Sequence, residues 1–143
     1  MGIFHPKYRT EKTHSEVGAQ NEQFLAARLM FVGYNVLKPL SVLRYDYVIE
    51  DAEGKFWRVQ CKTGRYRKDV RGREPIERIE FHCKSRRSYR GDCDYIAVYC
   101  GELHTAYLVP VRQLPEQLGS LRLSPPMRKG DLKDTLYAAD YEL

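Results

Sequence analysis

The sequence lacks the cysteine spacing, the long apolar run and the signal pattern that mark cross-linked, membrane-spanning and secreted proteins. Four cysteines are present, but none forms a C-x-x-C pair, so we expect neither disulfide bonds nor a structural zinc site. No run of about 18 apolar residues is available to span a membrane, and no amino-terminal signal is recognisable. From these absences we expect a cytoplasmic protein with no membrane partner.

Repeats, low-complexity tracts and long linkers are also missing, which indicates one compact domain. The chain has 143 residues, 43% of them hydrophobic. This is enough for one buried core and too little for two. We predict a flexible polar arm over residues 1–12 and a single domain over residues 13–143.

The first element is predicted to be a helix from about His14 to Val32. Thr13 and Glu16 have the spacing of a capping box, in which each side chain accepts a hydrogen bond from the other residue's backbone N–H. Gly33 suits the end of the helix, because glycine adopts positive φ without steric cost. Capping therefore explains the carboxylate of Glu16.

A second carboxylate interrupts the face of this helix that should pack against the rest of the protein. Helical spacing places five residues on one side: Gly18, Glu22, Leu25, Leu29 and Val32. A buried carboxylate is costly unless it is paired or binds a metal ion, and Gly18 leaves room for close approach to a sheet. Glu22 is therefore a candidate metal ligand. The alternative is a residue at the edge of the stripe whose carboxylate reaches water.

Two strands are predicted on either side of a five-residue turn, residues 51–55. A hairpin with this loop places Asp46 opposite Gln60. Side chains alternate along a strand, so Gln60 and Lys62 share one face. Lys62 then lies diagonal to Asp46, within reach for a long side chain.

The hairpin thus gathers a carboxylate, an amide oxygen and an ammonium group. Mg²⁺ takes oxygen ligands and commonly uses one or two carboxylates beside a phosphate, a role that suits Asp46. The ammonium group of Lys62 would stabilise charge on an attacked phosphate or position the attacking water. The pattern is typical of a phosphodiester-cleaving site. A solvated sheet face with the same residues is the alternative interpretation.

Positive charge is concentrated directly after Lys62. Ten basic and four acidic residues lie between Arg65 and Arg90, whereas the whole chain has 24 basic and 19 acidic residues and a net charge of +5. Clustered basic residues with interleaved tyrosine are typical of contact with a nucleic-acid backbone. We interpret residues 65–74 as a DNA-contacting loop. The candidate DNA-binding residues are Arg65, Arg67, Lys68, Arg71, Arg73, Lys84, Arg86 and Arg87.

The remaining apolar segments predict further strands and two short helices. Residues 79–82 and 105–109 are candidate strands, and the nearly continuous apolar run over residues 94–100 suits a buried central strand. Helices are predicted over residues 111–118 and 131–141. Together these elements predict an α/β fold with a mixed central sheet flanked by helices.

Several short segments, in this order and spacing, carry a family resemblance that runs from about His14 to Leu143. They are Gly18-x-x-x-Glu22, Gly33-Tyr34-x-Val36-x-x-Pro39, Tyr45-Asp46, Val59-Gln60-Cys61-Lys62-Thr63, Asp94-Tyr95-Ile96-Ala97-Val98-Tyr99 and Tyr107-Leu108-Val109-Pro110. With these segments the chain resembles the PD-(D/E)XK nuclease superfamily. More narrowly, it is similar to the group I intron-encoded homing endonucleases of that superfamily.

The resemblance implies a restriction-endonuclease-like core and metal-dependent hydrolysis of double-stranded DNA at a long site, with 5′-phosphate products. Glu22, Asp46, Gln60 and Lys62 match the active-site positions, and the backbone carbonyl of Cys61 is a further oxygen ligand for the metal. The implied cofactor is Mg²⁺, with Mn²⁺ as a substitute. Most superfamily members have an acidic residue in place of Gln60, whereas glutamine is a feature of the intron-encoded branch.

The size of the chain bears on its assembly and target. One copy cannot span a long site, so we expect a homodimer or homotetramer that binds a palindrome-like sequence. Two other functions remain open. One is a structure-specific nuclease similar to Holliday-junction resolvases, because the basic segment does not separate recognition of shape from recognition of sequence. The other is a DNA-binding module without activity, because Gln60 removes a negative charge from the site.

Overall fold

The computed structural model describes residues 11–125 and 134–143. Most of the predicted amino-terminal arm, residues 1–12, therefore lies outside the described residues. In the described part of the chain, one α-helix precedes ten β-strands and two short 3-10 helices. No described helix has the length and apolar character needed to cross a membrane.

The helix α1 spans His14–Phe31 and has the predicted ends. The Thr13 hydroxyl accepts a hydrogen bond from the Glu16 backbone N–H, and the Glu16 carboxylate accepts one from the Thr13 backbone N–H. Gly33 follows the helix with a φ of 111°, a value that favours glycine. The capping box and the glycine that ends the helix are both confirmed.

The buried face of α1 differs in part from the predicted stripe. Val32, just beyond the helix, is 42% exposed. A Cβ atom on Gly18 would meet no atom within 4 Å. The prediction that Gly18 allows close approach to the sheet was therefore wrong, because no neighbouring element packs closely against this turn of the helix. The buried residues of the helix are Asn21, Leu25, Ala26 and Leu29.

The described strands, in chain order, are β1 (Asn35–Leu37), β2 (Tyr47–Glu50), β3 (Phe56–Asp69), β4 (Ile76–His82), β5 (Lys84–Ser85), β6 (Arg87–Ser88), β7 (Tyr95–Cys100), β8 (Thr105–Pro110), β9 (Leu118–Arg122) and β10 (Leu136–Tyr137). Eight of them form one mixed sheet, and β5 pairs with β6 in a separate small hairpin. The predicted α/β fold with a mixed central sheet is confirmed. The strands predicted over residues 79–82, 94–100 and 105–109 correspond to β4, β7 and β8.

The long strand β3 belongs to both halves of the large sheet. Its first half pairs antiparallel with β2 and parallel with β7, as far as Gly64 opposite Cys100. From Arg65 onward it pairs antiparallel with β4, which in turn pairs with β9. A Cβ atom on Gly64 would lie 2.7 Å from side-chain atoms of both Ile79 and Val98. Only glycine fits where the strand changes partners.

Two apolar clusters pack on the sheet. Leu25 and Leu29 of α1 pack with Val59 in one of them. The other contains Phe81 and Ile96 together with residues of β8 and β9. Because neighbouring residues of a strand point to opposite faces, the clusters lie on opposite sides of the central strands. The first face is thus covered by α1, and the second by β4 and β9 instead of a second helix.

The helix predicted over residues 111–118 is wrong. The structure has a 3-10 helix, Val111–Gln113, and the chain then becomes extended and enters β9. Leu114 has φ of −91° and ψ of 148°. Pro115 explains this, because proline lacks a backbone N–H and disfavours the helical conformation of the residue before it.

The helix predicted over residues 131–141 lies partly outside the described residues. In its described part, Leu136–Tyr137 form β10 and Ala138–Asp140 form a 3-10 helix. Leu136 pairs with Leu121 of β9 in a parallel arrangement. The helical prediction is wrong for this part, because pairing with a separate strand outweighs the local spacing of the apolar residues.

The segment predicted as a DNA-contacting loop, residues 65–74, is a loop only over residues 70–74. Residues 65–69 continue β3 and pair with residues 76–80 of β4. Glu80 faces Arg65 across this ladder, and opposite charges on facing residues stabilise a strand pair. The acidic residues that follow the basic cluster therefore supply a complementary strand, which extends the sheet.

Candidate active site

The hairpin of β2 and β3 has the predicted register, and its ladder ends with Tyr47 opposite Val59. One residue before this pair, the Asp46 backbone N–H donates to the Val59 carbonyl at 2.9 Å. The Asp46 carboxylate accepts a hydrogen bond from the Cys61 backbone N–H at 2.8 Å. This geometry differs from a regular pair of Asp46 with Gln60. It fixes the carboxylate against β3.

Asp46 lines two small clefts. The first has a volume of about 370 Å³ and is otherwise formed by residues 38–43 and Tyr45. The second, of about 290 Å³, is also lined by Gln60 and Tyr89. Gln60 and Asp46 therefore open into the same cleft, although they do not form a regular strand pair.

The charge of Asp46 is affected by residues from several elements. Burial raises the pKa of the Asp46 carboxyl above its ordinary value. The hydrogen bond from Cys61 lowers this pKa, the negative charge of Glu22 raises it, and the ammonium groups of Lys38 and Lys62 lower it. The structure thus brings these charged groups within interaction range. Within residues 11–125 and 134–143, Asp46 itself forms no ion pair.

Glu22 is half-buried and paired with a lysine. Its Oε1 atom lies 2.7 Å from Nζ of Lys38, and 26% of the Glu22 side chain is exposed. The Lys38 ammonium also lies 4.9 Å from the centroid of the Tyr47 ring, and the Tyr47 hydroxyl donates to the Glu22 backbone carbonyl at 3.3 Å. These contacts fix the middle of α1 against β2. An exposed ion pair contributes about 1 kcal/mol or less, so the carboxylate remains exchangeable.

Lys62 is held by a buried aromatic residue. Its Nζ atom donates to the Tyr89 hydroxyl at 2.9 Å and lies 4.7 Å from the centroid of the same ring. Tyr89 is 3% exposed. The next residue in β3, Thr63, points to the opposite face, where its hydroxyl accepts a hydrogen bond from Asn21 of α1 at 2.8 Å. This bond explains why Asn21 is buried, and it fixes β3 relative to the helix.

The available donors suit a hard divalent cation. Asp46, Glu22, Gln60 and the backbone carbonyl of Cys61 all offer oxygen atoms. The Cys61 thiol does not compete, because burial raises its pKa and keeps it protonated at neutral pH. No cluster of three or more His, Cys, Asp or Glu side chains suited to a metal occurs among the described residues. Two carboxylates with a shell completed by water is the arrangement that Mg²⁺ accepts.

Basic side chains line an arm formed by residues 65–82, the second half of β3 together with β4. Arg67 lies 3.6 Å from Glu80, and Arg71 lies 2.7 Å from Asp69. Such exposed pairs are weak and can be exchanged for phosphate contacts. Three exposed basic residues of the arm have no ion pair in the part of the chain that the structure describes: Arg65, Lys68 and Arg73.

A second basic surface is formed by residues 84–92, which we call the basic loop. Arg86 joins β5 to β6 with a φ of 63°, a left-handed conformation that is uncommon for residues other than glycine. Arg87 lies 3.3 Å from Asp92. Lys84 is exposed, and so are the other seven candidate DNA-binding residues of the arm and the basic loop.

Three residues that contact the site were not predicted from the sequence: Lys38, Arg44 and Tyr89. Lys38 had a usable signal, because strand alternation from Tyr34 and Val36 puts it on the same face as these two half-buried side chains. No sequence signal indicated that Tyr89 contacts Lys62, because the two residues are 27 positions apart in the chain. Arg44 likewise contacts residues 41 to 48 positions away.

The mixed eight-stranded sheet with one helix packed against it is consistent with the restriction-endonuclease-like fold of the PD-(D/E)XK endonucleases. The PD-(D/E)XK endonuclease family matches residues 12–143 of the sequence. The match includes α1, the hairpin and every strand described above. The chain therefore belongs to this family, which confirms the resemblance found in its sequence.

Among solved structures, the fold is similar to that of a bacterial homing endonuclease, I-Ssp6803I. The two structures superimpose with a TM-score of 0.61 and share 24% sequence identity, over 92% of this chain and 88% of the other. At this identity the likeness concerns the fold. Among curated proteins, none matches the chain.

Proposed function

We propose that this protein is a divalent-metal-dependent endonuclease that hydrolyses phosphodiester bonds of double-stranded DNA. The observation that supports the proposal is that the carboxylate of Asp46, just before β2, interacts electrostatically with Glu22 of α1 and Lys62 of β3, beside an exposed basic surface. Asp46 is a partly buried carboxylate without an ion pair in the described ranges, and its pKa is raised. Burial of an unpaired carboxylate lowers the stability of the folded protein, and a bound cation would offset this loss.

Asp46 and Glu22 would hold the metal ion, with Gln60 and the Cys61 carbonyl as further oxygen donors. The Cys61 backbone N–H engages Oδ2 of Asp46, and the described residues provide no hydrogen-bond partner for Oδ1. That oxygen is therefore available as a ligand. When bound, Mg²⁺, or Mn²⁺ in its place, supplies Lewis-acid stabilisation of the charge at the scissile phosphate.

The two lysines near the site have different roles. Lys62, held by Tyr89, would stabilise the negative charge that develops on the attacked phosphate or orient the attacking water. Lys38 neutralises Glu22 in the protein without metal. Because the Lys38 side chain is 58% exposed, Glu22 can exchange Lys38 for a divalent cation at little cost.

The arm and the basic loop would contact the DNA backbone. A duplex carries one negative charge per about 1.7 Å of its axis, so exposed basic residues gain affinity by releasing its counterions. The arm continues the strand that carries Lys62, and the basic loop contains Tyr89. Phosphate groups bound by either surface would therefore lie near the candidate catalytic residues.

The target is proposed to be a long, palindrome-like site of the homing-endonuclease type, bound by a homodimer or homotetramer. The similarity of the fold to a bacterial homing endonuclease supports this proposal. The size of the chain supports it as well, because one copy of 143 residues cannot contact a long site alone.

The experiment that tests the proposal is incubation with randomised duplex DNA, with and without Mg²⁺, followed by sequencing of the ends. The parent protein should cut only with the metal, leave 5′-phosphates and enrich one palindrome-like sequence. Asp46→Asn and Lys62→Met, which keep the size of the side chains, serve as inactive controls. Equal cutting without metal, or by both variants, would contradict the proposal. Cutting of four-way junctions at unrelated sequences would instead indicate a junction-specific nuclease.

A further inference from the structure

Two cationic side chains contact the ring of Tyr89. The guanidinium carbon of Arg44 lies 4.5 Å from the ring centroid and Nζ of Lys62 lies 4.7 Å from it. Lys62 also donates to the Tyr89 hydroxyl at 2.9 Å. Tyr89 is 3% exposed and belongs to the apolar cluster beneath β4 and β9. A ring buried to this extent has little freedom, so the ammonium group bonded to its hydroxyl is restrained as well.

Arg44 fixes the basic loop that carries Tyr89. Its guanidinium is a planar group with donors in fixed directions, which suits the simultaneous binding of several oxygens. It makes four hydrogen bonds to the loop: from Nε to Oδ2 of Asp92 at 3.0 Å, from Nη1 to the carbonyl of Ser85 at 2.7 Å, and from Nη2 to the carbonyls of Arg87 at 3.1 Å and Ser88 at 2.9 Å. One side chain thus ties both strands of the small hairpin to the segment before Asp46.

We propose that Tyr89, held in place by Arg44, is a positioning residue for Lys62. This inference rests on the proposed nuclease function, in which Lys62 acts on the phosphate. A lysine side chain has many rotamers, so a contact that selects one of them lowers the entropic cost of reaching the transition state. The same loop exposes Arg86 and Arg87. The basic loop therefore determines both the phosphate contacts of these arginines and the position of the Lys62 ammonium group.

The kinetic test uses Tyr89→Phe, which removes the hydroxyl and keeps the ring that Arg44 and Lys62 contact. We expect kcat for DNA cleavage to fall about tenfold with KM for DNA unchanged, because Lys62 is no longer oriented. Tyr107→Phe is the matched control. Tyr107 is 1% exposed, and its hydroxyl donates to Thr105 at 2.8 Å and not to Lys62. An unchanged kcat in Tyr89→Phe would overturn the proposal.

A second variant, Arg44→Lys, keeps the charge and loses the planar donor group. Because this loosens the whole basic loop, kcat should fall and KM for DNA should rise. In Tyr89→Phe, by contrast, only kcat should change. If Arg44→Lys has the same kcat as the parent, Arg44 does not hold the basic loop and Tyr89 in place. The proposed role of Arg44 would then be wrong.

A readout independent of cleavage separates this inference from the proposed function. In ¹⁵N-labelled protein, the Lys62 Nζ–H signal is assigned by its absence in Lys62→Met. Hydrogen-bonded and restrained, it should exchange slowly with water in the parent and in Tyr107→Phe, and it should broaden or disappear in Tyr89→Phe. An identical Lys62 signal in Tyr89→Phe and the parent would refute the positioning role. If the parent cuts no DNA while the signal changes as expected, the proposed function fails and the positioning role stands.

Discussion

The two halves of β3 carry cationic side chains in opposite surroundings. In the first half, Lys62 is half-buried and bonded to Tyr89. In the second half, Arg65 and Lys68 are exposed and have no ion pair in the described part of the chain. Gly64 marks the boundary, where the strand changes partners. A cation with a protein partner has a defined position, as catalysis requires, whereas a cation without one is available to a polyanion.

Among the variants that test this difference between the two halves of β3, Lys62→Met should have the largest effect. It removes the ammonium group and keeps the apolar stem. The cutting rate at saturating DNA should fall about 10³-fold, because an electrostatic contact to the reacting phosphate is lost. DNA affinity should be retained, since Lys62 lies outside the arm and the basic loop. Single-turnover cleavage and fluorescence anisotropy measure the two quantities. Cutting at the rate of the parent would show that Lys62 has been misassigned.

The boundary between the halves is tested by Gly64→Ala. The added Cβ would lie 2.7 Å from Ile79 and Val98, so the free energy of unfolding should fall by about 1–3 kcal/mol. Gly18→Ala is the matched control. A Cβ there meets nothing within 4 Å, and alanine should stabilise the helix by up to about 1 kcal/mol. Urea unfolding of both variants measures these changes in the free energy of unfolding. A Gly64→Ala variant as stable as the parent would contradict the packing described at this glycine.

The exposed half of β3 is tested by the double variant Arg65→Gln, Lys68→Gln. Each lost phosphate contact reduces the slope of log affinity against log salt by about 0.9, so the magnitude of the slope should fall by about 2. The cutting rate at saturating DNA should stay that of the parent. Lys55→Gln, in the exposed turn between β2 and β3, is the control and should leave the slope unchanged. A double variant with the slope of the parent would exclude the arm from DNA contact.

The smallest effect concerns stability and pH. Burial raises the pKa of Asp46 in the folded protein, so the folded state binds this proton more tightly than the unfolded chain does. The stability that the protonated carboxyl contributes is present at low pH and is lost as the pH rises through the folded pKa. Asp46→Asn keeps an oxygen acceptor for the Cys61 N–H and removes the charge.

Without metal, Asp46→Asn should therefore have a higher Tm than the parent at pH 7. The difference should shrink as the pH falls towards the ordinary carboxyl range, about pH 4. Thermal denaturation at several pH values, with a chelator present, measures this. A variant with a lower Tm than the parent at pH 7 would contradict the assigned direction of the pKa shift.

Local patterns in the sequence predicted the helix α1 and the register of the β2–β3 hairpin. The capping box of Thr13 and Glu16 and the five-residue turn involve neighbours in the chain, so their geometry follows from short-range rules. The same rules failed for residues 136–137, because pairing with β9 decides their conformation. They also failed for residues 65–69, whose partner strand begins after the basic cluster.

The sequence identified those candidate site residues that lie on the predicted helix and hairpin. Asp46, Gln60 and Lys62 followed from strand alternation, and Glu22 followed from helical spacing. The contacts that hold these groups were not predictable in the same way. Tyr89 contacts Lys62 across 27 residues of chain, Arg44 contacts the basic loop across 41 to 48 residues, and Lys38 contacts Glu22 across 16 residues. The contacts of Tyr89 and Arg44 depend on tertiary packing and leave no periodic signal, whereas strand alternation gave a signal for Lys38.

The central claim is that Asp46 and Glu22 hold one divalent cation beside Lys62. Anomalous diffraction from crystals soaked in Mn²⁺ tests it most directly. We predict a single strong peak bonded to carboxylate oxygens of both Asp46 and Glu22, with the Lys38 ammonium displaced from Glu22. Crystals that show no peak at these carboxylates, or a peak bound only elsewhere on the protein, would contradict the account.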